Sequence, residues 1–304
     1  MPTVGRFIPR SGGKSLDIAD HVLGFVRASS LSETAANLRD RLREDGYLYI
    51  KQFFPASEVL NIRKEIIARM RKLNLVLPSI DPLEAKANPD QRTAFMPELA
   101  EQNSALDRLL YGERVMSFYQ LLLGGLVRHY DFTWFRPIGP GRGTAPHCDL
   151  VYMGRGTRQV FTMWVPFGDV PIELGGLMIL EGSHKKSDQL KNYLSRDVDS
   201  YCINRPGADQ ARATDSLLWD GKLAKDPVSL RHKLGGRWLT TEFKAGDMLT
   251  FGMTTVHASL DNQTDEIRFS SDTRYQLATE AADNRWLGAN PPGHSRAGKQ
   301  GRIC

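Results

Sequence analysis

The sequence predicts a mainly β domain with flanking helices, and two features of its 304 residues support this. After Gly125, short runs of β-branched and aromatic residues alternate with Gly, Pro or Asp, which is typical of strands joined by turns. Before Gly125, longer stretches carry apolar residues at helical spacing. Many short strands after a helical lead indicate a sandwich or barrel with helices packed against it.

The helical lead is expected to span residues 1–125. Helices are predicted over Glu33–Glu44, over Glu58–Leu73 with Ser57 as its cap, and over Ser104–Leu123. A short strand, Tyr47–Ile50, separates the first two helices. Residues 78–97 are rich in Pro, Asp and Asn and therefore predict an irregular loop.

The β core is expected over residues 126–280, and the chain should form a single domain. Its strands are predicted at Val127–Phe135, Gln159–Phe167, Leu177–Leu180, Trp238–Phe243, Met248–Phe251, Thr255–Leu260 and Ile267–Gln276. The long polar stretch 187–236 is interpreted as an insertion, since segments of this size often form lids or binding elements. Residues 281–304 contain many Gly, Pro and basic residues and predict an extended tail.

Composition excludes several classes of protein. No apolar run approaches the ~18 residues that cross a bilayer, and the N-terminus lacks an apolar signal core, so a cytoplasmic protein is expected. Cys148, Cys202 and Cys304 form no CxxC pair, which disfavours both a disulfide framework and a zinc ribbon. The net charge of +5 comes from dispersed Arg and Lys, so nucleic acid is not an expected partner. An acidic small molecule remains a suitable partner.

A metal site is predicted from three side chains. His147 and Asp149 stand at positions i and i+2, so both can point to the same face of an extended segment. A second imidazole, His257, lies in another strand-like segment far along the chain. Two His and one carboxylate on one face of a metal leave positions open, which suits an iron(II) that binds a chelating co-substrate and dioxygen.

An HxD pattern alone is weak, because such pairs are more often found in surface turns. The downstream sequence strengthens it: Arg268 follows His257 and opens a strand whose one face carries Arg268, Ser270, Asp272 and Arg274. A polar face with two guanidinium groups is either solvated or meant for an anion. Arg is suited to an anion because its rigid fork grips a carboxylate through two hydrogen bonds.

With these residues, the chain resembles the phytanoyl-CoA dioxygenase family of iron(II) and 2-oxoglutarate oxygenases from about Leu42 to Gln276. The motifs that carry the resemblance, in chain order, are Asp45–Phe54, Pro146–Asp149, Trp164–Phe167, Gly175–Met178, Gly182–Lys185, Ala245–Phe251, His257–Ser259, Asn262, Arg268 and Ser270. One position departs from the family pattern, since Glu181 stands where a proline usually precedes the Gly-Ser-His-Lys turn. His184 in that turn is interpreted as a structural hydrogen-bonding residue.

The resemblance implies a double-stranded β-helix, the cupin-like jelly roll of two antiparallel sheets. It also implies Fe(II) and 2-oxoglutarate as cofactor and co-substrate, dioxygen as oxidant and ascorbate as a supporting reductant. His147, Asp149 and His257 would bind the metal. Arg268 would pair with the C5 carboxylate of 2-oxoglutarate, and the remaining residues expected around this pocket are Ser259, Trp164, Thr162, Phe132 and Arg136.

The expected reaction is hydroxylation of an aliphatic C–H bond in a small metabolite or natural product. An acyl-CoA hydroxylase and a non-catalytic binding protein on the same fold are the alternatives. Halogenation is disfavoured, because related halogenases replace the carboxylate ligand and Asp149 is present here. A cupin isomerase or hydrolase is also possible, but it would not need Arg268.

Overall fold

The fold is that of a computed structural model, in which residues 7–16, 22–201 and 219–294 are described. In this part of the chain the strands form a four-stranded sheet, a seven-stranded sheet and a separate hairpin. The strands are β1 (Arg10–Ser11), β2 (Lys14–Ser15), β3 (Leu23–Phe25), β4 (Ala28–Ser29), β5 (Tyr47–Ile50), β6 (Val127–His129), β7 (Trp134–Ile138), β8 (Phe161–Pro166), β9 (Leu177–Leu180), β10 (Trp238–Thr240), β11 (Met248–Gly252), β12 (His257–Ser259) and β13 (Arg268–Leu277).

Helices precede and interrupt the sheets. The α-helices are α1 (Ala35–Asp45), α2 (Ala56–Lys72), α3 (Ser104–Tyr111), α4 (Glu113–Leu123), α5 (Leu150–Met153), α6 (Lys191–Leu194) and α7 (Pro227–Leu234). Short 3-10 turns lie at Pro97–Leu99, Ile172–Leu174, Ser183–Lys185, Val198–Tyr201 and Asn284–Trp286. None of the helices in the described ranges is long and apolar enough to cross a membrane.

The two sheets have jelly-roll topology, with strands far apart in sequence lying side by side. The larger sheet has the order β4-β5-β11-β8-β13-β6, with β7 also paired to β13, and the smaller has the order β12-β9-β10-β3. The double-stranded β-helix is thereby confirmed, although the sheets are open. The expectation of wholly antiparallel sheets is wrong at two edges, where β3 pairs with β10 and β4 with β5 in parallel. Strands β1 to β4 all lie before helix α1, so the expected helical lead begins with strands rather than helices.

Side-chain alternation on β8 and β13 divides the larger sheet into two faces. Met163 on β8 and Phe269 and Tyr275 on β13 belong to the core that helices α2 and α4 cover. Trp164 points to the opposite face, where it packs in a core shared with Ile179 of the smaller sheet. The polar residues that alternate with Phe269 and Tyr275 face the interior between the sheets; they are Arg268, Ser270, Asp272 and Arg274.

The helix predicted over Ser104–Leu123 is two helices, because the chain breaks at Gly112. A Cβ at this glycine would lie 2.2 Å from the carbonyl oxygen of Arg108, so a larger residue could not make the same turn. The predicted cap Ser57 is also wrong: helix α2 begins at Ala56, two residues before the predicted start at Glu58, and its N-cap Pro55 makes no side-chain hydrogen bond.

The prediction of an extended tail from residue 281 is wrong for its first part. Trp286 lies in a 3-10 turn, is 3% exposed and packs against Trp134 and Phe132 at ring-centroid distances of 4.7 and 5.3 Å. Residues 295–304 lie outside the described ranges. The insertion predicted at 187–236 contains α6 and α7, and its residues 202–218 are likewise outside them.

The Gly-Ser-His-Lys turn caps the C-terminus of helix α1. The Nε2 of His184 donates to the carbonyl of Arg43 at 3.1 Å, and the Nζ of Lys185 donates to that of Glu44 at 2.8 Å. The last carbonyls of a helix have no partner within the helix, so these contacts satisfy two of them. His184 is thus placed in the structural role that the sequence predicted.

We expect Gly46→Ala to destabilise the protein by about 2 kcal/mol or more. Gly46 has φ of 80°, and an added Cβ would lie 2.2 Å from the Nδ1 of His184. The variant must therefore strain the backbone and displace the capping ring. Chemical denaturation of the variant checks this, with Gly124→Ala as control, since Gly124 has φ of 77° but nothing near its Cβ. Equal losses of stability in the two variants would show that the clash with His184 adds nothing to the destabilisation of Gly46→Ala.

Candidate metal centre

Backbone pairing brings two histidines together. His147 and His257 form an antiparallel bridge in which each backbone N–H donates to the other's carbonyl at 3.0 Å. Directly opposed residues project to the same side of a sheet, and the two imidazole ring centroids are 4.1 Å apart. Asp149, two residues beyond His147, projects to the same point.

The donor atoms of these three residues converge. The Oδ1 of Asp149 lies 4.0 Å from the Nε2 of His147 and 3.8 Å from the Nε2 of His257. Each imidazole can donate through Nδ1 to a backbone carbonyl, that of Ala145 at 2.8 Å and that of Thr255 at 3.1 Å. Such bonds fix the tautomer that leaves Nε2 as a ligand. All three residues are buried, and their candidate ligand atoms lie within 4.8 Å of one another.

The protonation states also suit a metal ion. Burial and the neighbouring His257 lower the pKa of His147 to about 3, and burial likewise lowers the pKa of His257. Burial alone would raise the pKa of Asp149, but Arg274, the two histidines and Thr162 together hold it well below its usual value. The site therefore presents two neutral imidazoles and one carboxylate, the forms that ligate divalent iron.

Two side chains from the larger sheet hold the outer oxygen of Asp149. The hydroxyl of Thr162 on β8 donates to its Oδ2, and the Nη2 of Arg274 on β13 donates to the same atom at 3.0 Å. Oδ1 is the oxygen that faces the histidines. The carboxylate is thus oriented to offer one oxygen to a metal. Thr162 therefore contacts Asp149, and its expected place in the 2-oxoglutarate pocket stays a prediction.

We expect Thr162→Val to weaken iron(II) binding by roughly 10- to 100-fold, as losses of such supporting hydrogen bonds commonly do. Valine has nearly the same shape but donates no hydrogen bond to Asp149. Metal titration of the apo protein measures the effect. Thr162→Ser is the matched control, because it restores the hydroxyl and should restore affinity; equal affinity in the valine variant would contradict the orienting role.

Arg268 is buried, and among the described residues no carboxylate forms an ion pair with it, although the charge of Asp272 acts on it from the same strand face. Arg268 is 1% exposed, and its Nε and Nη1 have no hydrogen-bond partner in the described part of the chain. Its guanidinium carbon lies 5.8 Å from the centre of the Trp164 ring. Burial lowers the pKa of Arg268 to about 10, so it is still charged at neutral pH. A buried, charged fork with unused donors fits the distal carboxylate of 2-oxoglutarate.

The neighbours of Arg268 add hydroxyl groups. Ser270, on the same face of β13, has a buried hydroxyl with no partner among the described residues. The Oγ of Ser259 accepts a hydrogen bond from the backbone N–H of Thr144 at 2.8 Å, which leaves its own hydrogen available to donate. The roles of Arg268, Ser259 and Trp164 toward 2-oxoglutarate stay predictions.

A cavity of about 140 Å³ opens beside the metal residues. His147 and Asp149 form part of its wall, and five aromatic side chains contribute to the rest, from Phe95, Phe132, Trp134, Tyr152 and Trp286. Phe132, expected near 2-oxoglutarate, belongs to this wall, whereas Arg268, Ser259 and Trp164 do not. Arg136 also lines the cavity and pairs with Asp272 at 2.6 Å.

The insertion and the tail complete the cavity. Asp220 and Lys222 come from the insertion, and Gly293 and His294 from the tail. The insertion also holds the metal segment, because the hydroxyl of Tyr193 accepts from the backbone N–H of Cys148 at 3.0 Å. Cys148 is a buried free thiol.

An ionic network joins the tail to the insertion. Arg285 pairs with Asp199 at 2.6 Å and with Asp283 at 2.5 Å, and the Nδ1 of His294 lies 2.8 Å from Asp199. The sequence predicted no role for Trp286 or His294, because no local pattern shows that a Gly- and Pro-rich tail folds back. The sequence did contain a signal for a role of Arg274, because this residue lies on the predicted polar face of β13.

Comparisons with known proteins agree with this geometry. The phytanoyl-CoA dioxygenase (PhyH) family matches residues 42–270. Ectoine dioxygenase from Stutzerimonas stutzeri (strain A1501) is 25% identical over 246 residues, which are 77% of this chain and 74% of that protein.

Solved structures share the fold. The carbocyclase SnoK from nogalamycin biosynthesis, described as non-heme and alpha ketoglutarate dependent, aligns with a TM-score of 0.57 at 20% identity, covering 82% of this chain and 88% of its own. EctD from S. alaskensis with bound Fe aligns with a TM-score of 0.55 at 19% identity, covering 97% and 92%.

The extent of the family match and the converging His147, Asp149 and His257 establish an oxygenase that uses non-haem iron and 2-oxoglutarate. The chain belongs to the phytanoyl-CoA dioxygenase (PhyH) family.

Proposed function

We propose that the protein hydroxylates an aliphatic C–H bond of a small metabolite or natural product. The observation that carries this proposal is the apolar cavity whose wall includes His147 and Asp149. A substrate in that cavity has its carbon skeleton against aromatic rings and its reacting carbon beside the metal ligands. An aromatic wall combined with polar groups that can orient a ligand is typical of small-molecule sites.

When bound, iron(II) and 2-oxoglutarate supply the oxidising chemistry: one atom of dioxygen enters succinate as 2-oxoglutarate loses carbon dioxide, and the other enters the substrate as a hydroxyl group. His147, Asp149 and His257 would hold the metal, and a three-residue ligand set would leave positions for co-substrate and dioxygen. Arg268 anchors the far carboxylate of 2-oxoglutarate. The protein's contribution is binding and orientation.

The cavity walls serve to position substrate and exclude water. Trp286 and His294 close one side, and Asp199, through Arg285 and His294, ties this segment to the insertion. A substrate held rigidly between these walls presents one C–H bond to the oxidant, so the product should carry a single hydroxyl at one position.

The experiment is succinate formation from 2-oxoglutarate with purified protein, iron(II), ascorbate and air, first alone and then with a metabolite panel that includes acyl-CoA thioesters. We expect slow succinate release without substrate, faster release with the correct compound, and one hydroxylated product for each succinate. A His257→Ala variant should release none. Wild-type protein that binds iron but never forms succinate, with any member of the panel, would instead support a binding protein on this fold.

A further inference from the structure

A second buried guanidinium lies on the same strand face as Arg268. Arg274 is 2% exposed and forms part of the cavity wall, between Trp134 and Asp149. Its guanidinium carbon lies over the Trp134 ring, 4.2 Å from the ring centre, and this contact restrains the group. Arg274 thus presents a restrained cationic group where a substrate is expected.

The hydrogen-bonding capacity of Arg274 is only partly used. Its Nη2 donates to the Oδ2 of Asp149 at 3.0 Å, whereas Nε and Nη1 have no partner in the described ranges. Unmade hydrogen bonds from a buried charged group are costly. A ligand oxygen that accepted from these nitrogens would remove that cost.

The other cations of the cavity already have counter-ions. Arg136 pairs with Asp272 at 2.6 Å, and Lys222 pairs with Asp220 at 2.5 Å. The counter-ion of Arg274 is Asp149, whose free oxygen faces the two imidazoles and would share its charge with a metal dication. With metal and 2-oxoglutarate in place, Arg274 therefore has the least compensated charge in the cavity wall.

We infer that Arg274 binds an oxyanion of the prime substrate, a carboxylate group, and so holds the substrate's aliphatic part against the aromatic wall beside the metal. This inference rests on the proposed function and narrows its substrate class to anionic small molecules. A guanidinium that lies over an aromatic ring and donates at its edge is well suited to a carboxylate.

The test uses straight-chain carboxylates of increasing length and their matching primary amides as probes. Anaerobic protein is loaded with iron(II) and saturating 2-oxoglutarate, so that the metal and Arg268 are occupied, and probe binding is measured by calorimetry. We expect the best carboxylate to bind roughly 10-fold or more tightly than its amide, as a charged hydrogen bond allows. Arg274→Gln should abolish this preference, and Arg274→Lys should retain part of it.

Three variants separate this role from its neighbours. Thr162→Val removes the other hydrogen bond to Asp149 but keeps the guanidinium, so it should keep the carboxylate preference at saturating metal. Arg136→Gln and Lys222→Gln each remove another cavity cation and should also keep it. Metal content and thermal unfolding are measured for every variant, and if Arg274→Gln fails to fold, the comparison is made with Arg274→Lys.

The inference is overturned if no carboxylate binds better than its amide, if Arg274→Gln keeps the full preference, or if Lys222→Gln removes it. If Arg274→Lys has to replace Arg274→Gln, an undiminished preference for the carboxylate in Arg274→Lys also overturns the inference. Succinate formation is assayed separately. A protein that consumes 2-oxoglutarate but shows no carboxylate preference would contradict this inference alone, whereas one that never consumes it would contradict the proposed function.

Discussion

Replacing Asp149 by alanine should weaken iron(II) binding by at least ~100-fold, more than the loss of a supporting hydrogen bond costs, and should abolish succinate formation. The variant removes one of three ligands and also leaves Arg274 buried without its counter-ion, which is 3.0 Å away in the native protein. An uncompensated buried charge commonly costs about 3 to 5 kcal/mol of stability. Metal titration and chemical denaturation of the apo protein measure the two effects independently.

A double variant tests the second effect. In Asp149→Ala with Arg274→Leu both buried charges are gone, so much of the lost stability should return while iron binding stays weak. Retained iron affinity in Asp149→Ala would mean that the carboxylate is no ligand. A double variant less stable than Asp149→Ala would mean that the ion pair is not the source of the loss.

Replacing Arg268 by glutamine should raise the 2-oxoglutarate concentration needed for half-maximal succinate formation by about 100-fold or more. Two charge-assisted hydrogen bonds to one carboxylate would be lost, and each contributes about 1.5–3 kcal/mol. Steady-state assays at increasing 2-oxoglutarate check this. Iron affinity should be unchanged, because Arg268 is not among the residues that contact Asp149, His147 or His257 through a described hydrogen bond or ion pair.

Arg268→Lys is the matched control, since it keeps the charge but loses the planar fork, and should fall between glutamine and wild type. Thermal unfolding gives a second readout. Because 2-oxoglutarate binds only the folded protein, it should raise the unfolding temperature of wild type and much less that of Arg268→Gln. An unchanged 2-oxoglutarate requirement in Arg268→Gln would contradict the proposed role of Arg268 as the carboxylate anchor.

The sequence was sufficient to predict the metal residues and most of the strands, because both depend on local spacing. Side chains two apart on an extended segment share a face, so His147 and Asp149 could be paired without any tertiary information. The same alternation placed Arg268, Ser270, Asp272 and Arg274 on one face. All four are at most 5% exposed, which excludes the solvated alternative for this strand.

Predictions from local spacing were wrong where long-range contacts determine the structure. Helical periodicity ran through Gly112, but the carbonyl of Arg108 lies against that glycine and the helix breaks. The Gly- and Pro-rich tail suggested an extended chain, yet Trp286 finds an apolar partner in Trp134, a residue far away in the sequence. Thr162 was correctly placed on an inward face, but its partner Asp149 could not be read from that face alone.

The sequence by itself determined the class of chemistry, since ligand types, their spacing and the downstream arginine are properties of the chain. Tertiary structure decided how the cavity beside the metal residues is formed: Asp220 and Lys222 of the insertion and Gly293 and His294 of the tail line it, and Arg274 lies in its wall, paired with Asp149. The physical reason is that strand alternation is fixed residue by residue, whereas the burial of an aromatic ring or the pairing of a charge depends on partners that only folding brings close.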